Sequence, residues 1–151
     1  MSRIEAFLAP AQVTQMLGFL RSVLWIRCPS YDRSVPEPQQ HAGITGQLCG
    51  FFSQPPLLRQ LSDQFGLVQC FGGNFEQVTA GADLPWSVVE GARLGTVIVL
   101  SGECSVGGSP LNPGDAFLSP VTNLERTALH PRANADSIWI RGYFCSAASS
   151  D

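Results

Sequence analysis

The sequence predicts a mainly β fold, an antiparallel β-barrel over 66–146 with one or two short N-terminal helices packed on it. From Gly66 onward, the short apolar runs 67–71, 75–78, 86–89, 95–100, 116–118 and 137–144 are punctuated by glycine, proline and asparagine. Strands at such regular spacing suit a barrel or sandwich. Before Gly66 the apolar residues recur at helical spacing instead. With 151 residues, 44% of them hydrophobic, the chain can bury one core, so 1–151 reads as a single domain with 1–65 as a partly helical extension.

Ser2 and Glu5 have the spacing of a capping box, and Val13, Met16, Leu17, Leu20 and Leu24 form a helical stripe after Pro10. The segment 27–47 carries Pro29, Pro36, Pro38 and Gly43 without an apolar period and is expected to be a surface connection. Pro55 opens a second helix whose Leu57, Leu58, Leu61 and Phe65 face inward. In the last strand Ile138, Ile140 and either Tyr143 or Phe144 compete for one face, while Trp139 and Arg141 alternate with them.

Composition removes several functions. A net charge of −3 without a basic run gives no footprint for nucleic acid, and the same acidity argues against anionic membranes. All nine basic residues are arginine, which excludes Schiff-base chemistry, pyridoxal attachment and a phosphate-loop lysine. The five cysteines are scattered, with no C-x-x-C, and read as reduced thiols of a cytoplasmic protein. No leader pattern and no run of membrane-spanning length is expected.

The stretch Gly95-Thr-Val-Ile-Val-Leu-Ser-Gly-Glu103, followed by Leu111-Asn-Pro-Gly-Asp-Ala-Phe-Leu-Ser-Pro120, has a buried strand ending at Gly102. A turn follows at Gly107 and Gly108, then a second tight turn at Pro113-Gly114-Asp115, whose aspartate can accept backbone N–H bonds. These two regions resemble the signature regions of the cupin superfamily, which implies a jelly-roll barrel. Within it, 74–144 looks most like the C-terminal cupin region of type I phosphomannose isomerases, through Asn74-Phe75, Ser101-Gly102-Glu103, the Leu-x-Pro-Gly-Asp turn and the closing strand with Arg141. The resemblance also implies where metal ligands would stand. The stretch 89–95 and the vicinity of 123–126 hold no histidine, so no metal and no cofactor is expected.

His41 and His130 are the only histidines, both expected as loop residues, and Cys104 is expected to be a packed small residue. The candidate ligand-binding residues are Glu90, Arg93 and Glu125, with Glu103 and Arg126 beside them, and the aromatic Trp86, Trp139 and Tyr143. The leading expectation is a small-molecule-binding or assembly module without a metal centre, paired as a homodimer. A metal-independent isomerase or lyase acting on a carbohydrate-like substrate is the first alternative, and the sensor domain of a regulator is the second. Whether the chain is catalytic stays open at this point.

Overall fold

The computed structural model describes residues 2–29, 32–66, 68–86, 90–124 and 129–146, with the side chains of these except at 2, 38–42 and 71. The chain begins with β1 (Ser2–Ile4), α1 (Pro10–Leu20), β2 (Trp25–Cys28), β3 (Arg33–Pro36), α2 (Pro38–Phe52) and α3 (Pro55–Phe65). It continues through β4 (Val68–Val78), β5 (Leu94–Ser101), β6 (Cys104–Val106), β7 (Ser109–Leu111), β8 (Ala116–Pro120), β9 (Arg132–Ala133) and β10 (Ser137–Ser146). A seven-stranded sheet runs β1-β8-β5-β10-β4-β3-β2 and faces a three-stranded sheet β7-β6-β9, with all pairings antiparallel.

The period-2 alternation of the long strands sorts their side chains between two cores. Ile98, Leu100, Leu118, Ile140 and Phe144 point to the helical face, where Val13 and Leu20 of α1, Ile44, Leu48 and Phe52 of α2, and Leu57 and Leu61 of α3 cover them. Val97, Val99, Phe117 and Trp139 point the other way, onto Cys104, Val106, Leu111 and Ala133 of the small sheet, with Leu84, Trp86, Leu124 and Leu129 closing the space. The result is a cupin-like jelly-roll barrel with its helices on the outer face of the larger sheet. A bulge in β4 opposite Tyr143 and Phe144 shifts the register once, and it keeps both Phe75 and Val68 on the helical face.

The Gly102 turn forms as expected. Its φ is +81°, and the Asp115 carboxylate accepts bonds from the amides of Ala6 and Asn112 and from Arg3. Several expectations are corrected. Ser2–Ile4 opens no helix; it pairs with β8, Arg3 lying opposite Phe117. The stripe of α1 stops at Leu20, and Leu24 is exposed. The segment 27–47 is no surface connection, since it holds half of β2, all of β3 and the first ten residues of α2. Its prolines close β3 and open α2, where a missing N–H costs nothing, and Ile44, Leu48 and Phe52 recur every four residues to bury one face. The residues 68–71 and 75–78 of two expected runs belong to the single strand β4, while Trp86 lies outside any strand and 67 and 87–89 outside the described residues. Among the described residues there are three α-helices, and the hairpin β6–β7 adds strands the apolar runs did not signal.

Candidate functional site

Three strands each carry a single charged residue: Arg33 on β3, Glu76 on β4 and Arg141 on β10. The register puts Trp139 directly opposite Glu76, with Arg141 one diagonal step away, so all three side chains face the barrel interior. The Glu76 side chain is 3% exposed and that of Arg141 7%. Arg33 Nη1 donates to Glu76 Oε2, and Arg141 Nη1 lies 3.3 Å from Glu76 Oε1. Burial alone would lower the Arg33 pKa, but Glu76 outweighs it and raises it, so Arg33 stays charged. Trp86 stacks on the Arg141 guanidinium at 4.4 Å, and Arg141 Nη2 donates to the Pro85 carbonyl. Trp86 is fixed in turn by Nε1 donating to the Leu129 carbonyl at 2.7 Å.

Two guanidiniums share the Glu76 carboxylate in this interior cluster. Arg141 Nε and Trp139 Nε1 are buried donors without a hydrogen-bond partner, while Arg141 Nη1 and Glu76 Oε1 meet each other only as the ion pair. These buried donors beside a shared carboxylate suit an anion with oxygen acceptors.

The residues read from sequence scatter around this cluster. Trp86 and Trp139 belong to it, and Tyr143 stands on the same face of β10, half-buried. Glu90 and Arg93 are exposed; Arg93 Nη1 approaches Ser146 Oγ at 3.5 Å, away from the interior. Glu125 and Arg126 lie outside the described residues. Glu103 accepts from Asn134 beside the Gly102 turn. His41 falls in α2 rather than in a loop, and nothing is described of its side chain. His130 is half-buried, its Nδ1 3.9 Å from Asp83 Oδ1. Glu76 and Arg33 escaped the sequence reading, and their signal is one lone charge in each of two otherwise uncharged strands.

Cys104 is fully buried in the interior, as a packed residue. Loss of water pushes its thiol from 9.0 up to about 12, against the pull of Arg141. Between those values the unfolded chain loses a proton that the folded chain keeps. The stability present below pH 9.0 therefore falls by about 1.4 kcal/mol per pH unit above it. Urea midpoints taken from pH 8 to about pH 11 are expected to fall less steeply for Cys104→Ala than for the wild type. Equal slopes would contradict this assignment.

No family model matches the sequence, and no curated protein does. Solved structures do match. An oxidoreductase of the 2OG-Fe(II) oxygenase family from Burkholderia pseudomallei is 10% identical, covering 93% of this chain and 81% of its own at a TM-score of 0.64. HygX from Streptomyces hygroscopicus, with nickel and 2-oxoglutarate bound, is 12% identical over 96% of this chain and 82% of its own at 0.63. A Pseudomonas putida prolyl-4-hydroxylase is 13% identical over 97% of this chain and 92% of its own at 0.56. This chain has their fold. The match runs through the helices and β1–β3 as well as the barrel, and it overturns the expected metal-free binding or assembly module, together with its isomerase, lyase and sensor alternatives. The finer likeness to phosphomannose isomerases gains nothing from these neighbours.

Iron(II) oxygenases of the non-haem kind hold their metal with two histidines and one carboxylate. Among the described residues no three His, Cys, Asp or Glu side chains are placed to hold a metal. His130 and Asp83 supply one imidazole and one carboxylate. α2, which carries the other histidine, packs on the helical face of the large sheet, whereas Leu129, next to His130, packs on the interior face. The described residues do not make the donor set.

Proposed function

We propose that the protein works within the oxygenase and hydroxylase class, and that the Arg33–Glu76–Arg141 cluster receives the carboxylate of a 2-oxo acid. The carrying observation is Arg141: buried on the interior face, stacked on Trp86, sharing Glu76 with Arg33, and left with Nε unbonded. A carboxylate supplies the acceptor that Nε lacks, and a desolvated arginine bonds it strongly. Glu76 holds the guanidinium in place, Trp86 keeps water from its face, and Trp139 Nε1 offers a second donor. The match to oxygenases over more than nine-tenths of the chain supports the class, and the 2-oxoglutarate bound to HygX supports the choice of acid. No metal step is assigned, because the described residues do not assemble its ligands. The cytoplasm, where five unpaired thiols would stay reduced, is the proposed compartment. No helix among the described residues is long and apolar enough to cross a membrane.

The test is calorimetric titration with 2-oxoglutarate, followed by its consumption in air with added Fe(II). Binding is expected, weakened roughly ten- to a hundred-fold by Arg141→Lys, which keeps the charge but loses the planar donors. Consumption above that of the Arg141→Lys protein is expected as well. Absence of binding would overturn the site. Binding without consumption would overturn the oxygenase class.

A further inference from the structure

On the outer face of the large sheet α2 packs directly on β4. Thr45 Oγ1 donates to the Gly73 carbonyl at 3.1 Å, and a Cβ added at Gly73 would meet Leu48 Cδ1 at 3.4 Å. Bare backbone under the helix lets it settle onto the strand. Cys49 follows Thr45 by one helical turn and therefore shares its strand-facing side. Cys70, three residues before Gly73 on β4, packs against the same helical-face core. The Cys49 thiol is close enough to act on that of Cys70, and both are half-buried and free of any disulfide.

We propose that Cys49 and Cys70 form a redox-active pair that closes into a disulfide, on meeting a low-molecular-weight disulfide, and pins α2 to β4. α2 runs antiparallel to β4 over this contact, so the step from Thr45 to Cys49 and the step from Gly73 back to Cys70 lead along the same seam. The Cys49 thiolate attacks the small disulfide and releases one small thiol, leaving a mixed disulfide on Cys49. Cys70 then displaces the second small thiol. Two protein thiols are oxidised, one small disulfide is reduced, and the two protons end on the two released thiols. Burial first, and then the Cys49 thiol beside it, hold the Cys70 thiol protonated, so Cys70 is not the first attacker and must give up its proton to solvent before it displaces the second small thiol.

The pair links two distant parts of the chain, so closure is visible without any assay of activity. The native protein is incubated with oxidised glutathione, and its intact mass and cysteine-containing peptides are read by mass spectrometry. The expected result is the loss of two hydrogens, with the Cys49–Cys70 peptide as the dominant linkage. The unfolding midpoint should rise and return to its starting value on adding dithiothreitol. Cys70→Ser should instead accumulate the mixed disulfide at Cys49, while Cys145→Ser should close as the wild type does. A dominant Cys70–Cys145 linkage, or loss of two hydrogens in Cys70→Ser equal to that of the wild type, would overturn the proposal.

Discussion

Glu76→Gln is expected to destabilise the protein by about 3–5 kcal/mol, because it leaves two guanidiniums facing the interior without their counterion. Arg141 suffers most, since its side chain is only 7% exposed and its charge is balanced by Glu76 alone among the described carboxylates. Arg33, about a quarter exposed, recovers part of its loss through water. Removing the charges together tells a different story. Glu76→Leu combined with Arg141→Met replaces an ion pair by apolar side chains of similar bulk and is expected to recover at least half of the single-variant loss, as buried pairs often allow. Urea denaturation of the wild type, the two single variants and the double variant measures this coupling. A loss below about 1 kcal/mol for Glu76→Gln would mean that the cluster is solvated like a surface ion pair.

Gly102→Ala should cost about 3 kcal/mol or more, through two independent effects. Its φ of +81° disfavours any residue with a Cβ, and that Cβ would fall 2.3 Å from Ser137 Oγ and 2.4 Å from the Asp136 carbonyl oxygen. Ser137 has little freedom to retreat, since its hydroxyl accepts from the Glu103 amide at 3.1 Å and bonds the Ala135 carbonyl at 2.7 Å. For a chain of this size the melting midpoint should drop by roughly 6–12 °C. Gly108→Ala at φ +80° meets open space and isolates the conformational part alone, about 1–2 kcal/mol. Equal losses at the two positions would show that the close approach to Ser137 carries no energy.

The sequence displayed those parts of the fold whose cause is local. α3 is readable from a proline at its start and leucines at helical spacing, and β5, β8 and β10 from apolar runs bounded by glycine and proline. The turn into β8 is readable because Asp115 accepts from the Asn112 amide within its own loop. β2, β3 and α2 depend on distant partners. β3 exists because Arg33 and Ser34 pair with Val78 and Gln77, and α2 tolerates its three glycines, Gly43, Gly46 and Gly50, only because Ile44, Leu48 and Phe52 are buried on the sheet. Prolines that open or close such elements look like loop residues until the pairing is known.

The site divides in the same way. Trp86 and Trp139 stand out in the sequence as aromatics, and they do meet Arg141 and Glu76 in the interior. Glu90 and Arg93 drew attention because they sit near a signature turn, yet they face water. Arg33 and Glu76 are 43 positions apart and Arg141 is 65 beyond Glu76, so only the strand register joins them. One lone charge per interior strand was the available clue, and it becomes legible once the strands are known to be neighbours.

The central claim, that the interior arginine cluster takes a carboxylate, is tested most directly by the three tryptophan indole N–H signals in a nitrogen–proton correlation spectrum during titration with 2-oxoglutarate. Trp139 Nε1 is an unbonded donor in the interior, Trp86 Nε1 is already bonded to the Leu129 carbonyl over Arg141, and Trp25 stands on the edge strand β2. The Trp139 signal is expected to shift furthest, with saturation, followed by that of Trp86, while Trp25 stays in place. Three unmoved signals, or a shift confined to Trp25, would contradict the account.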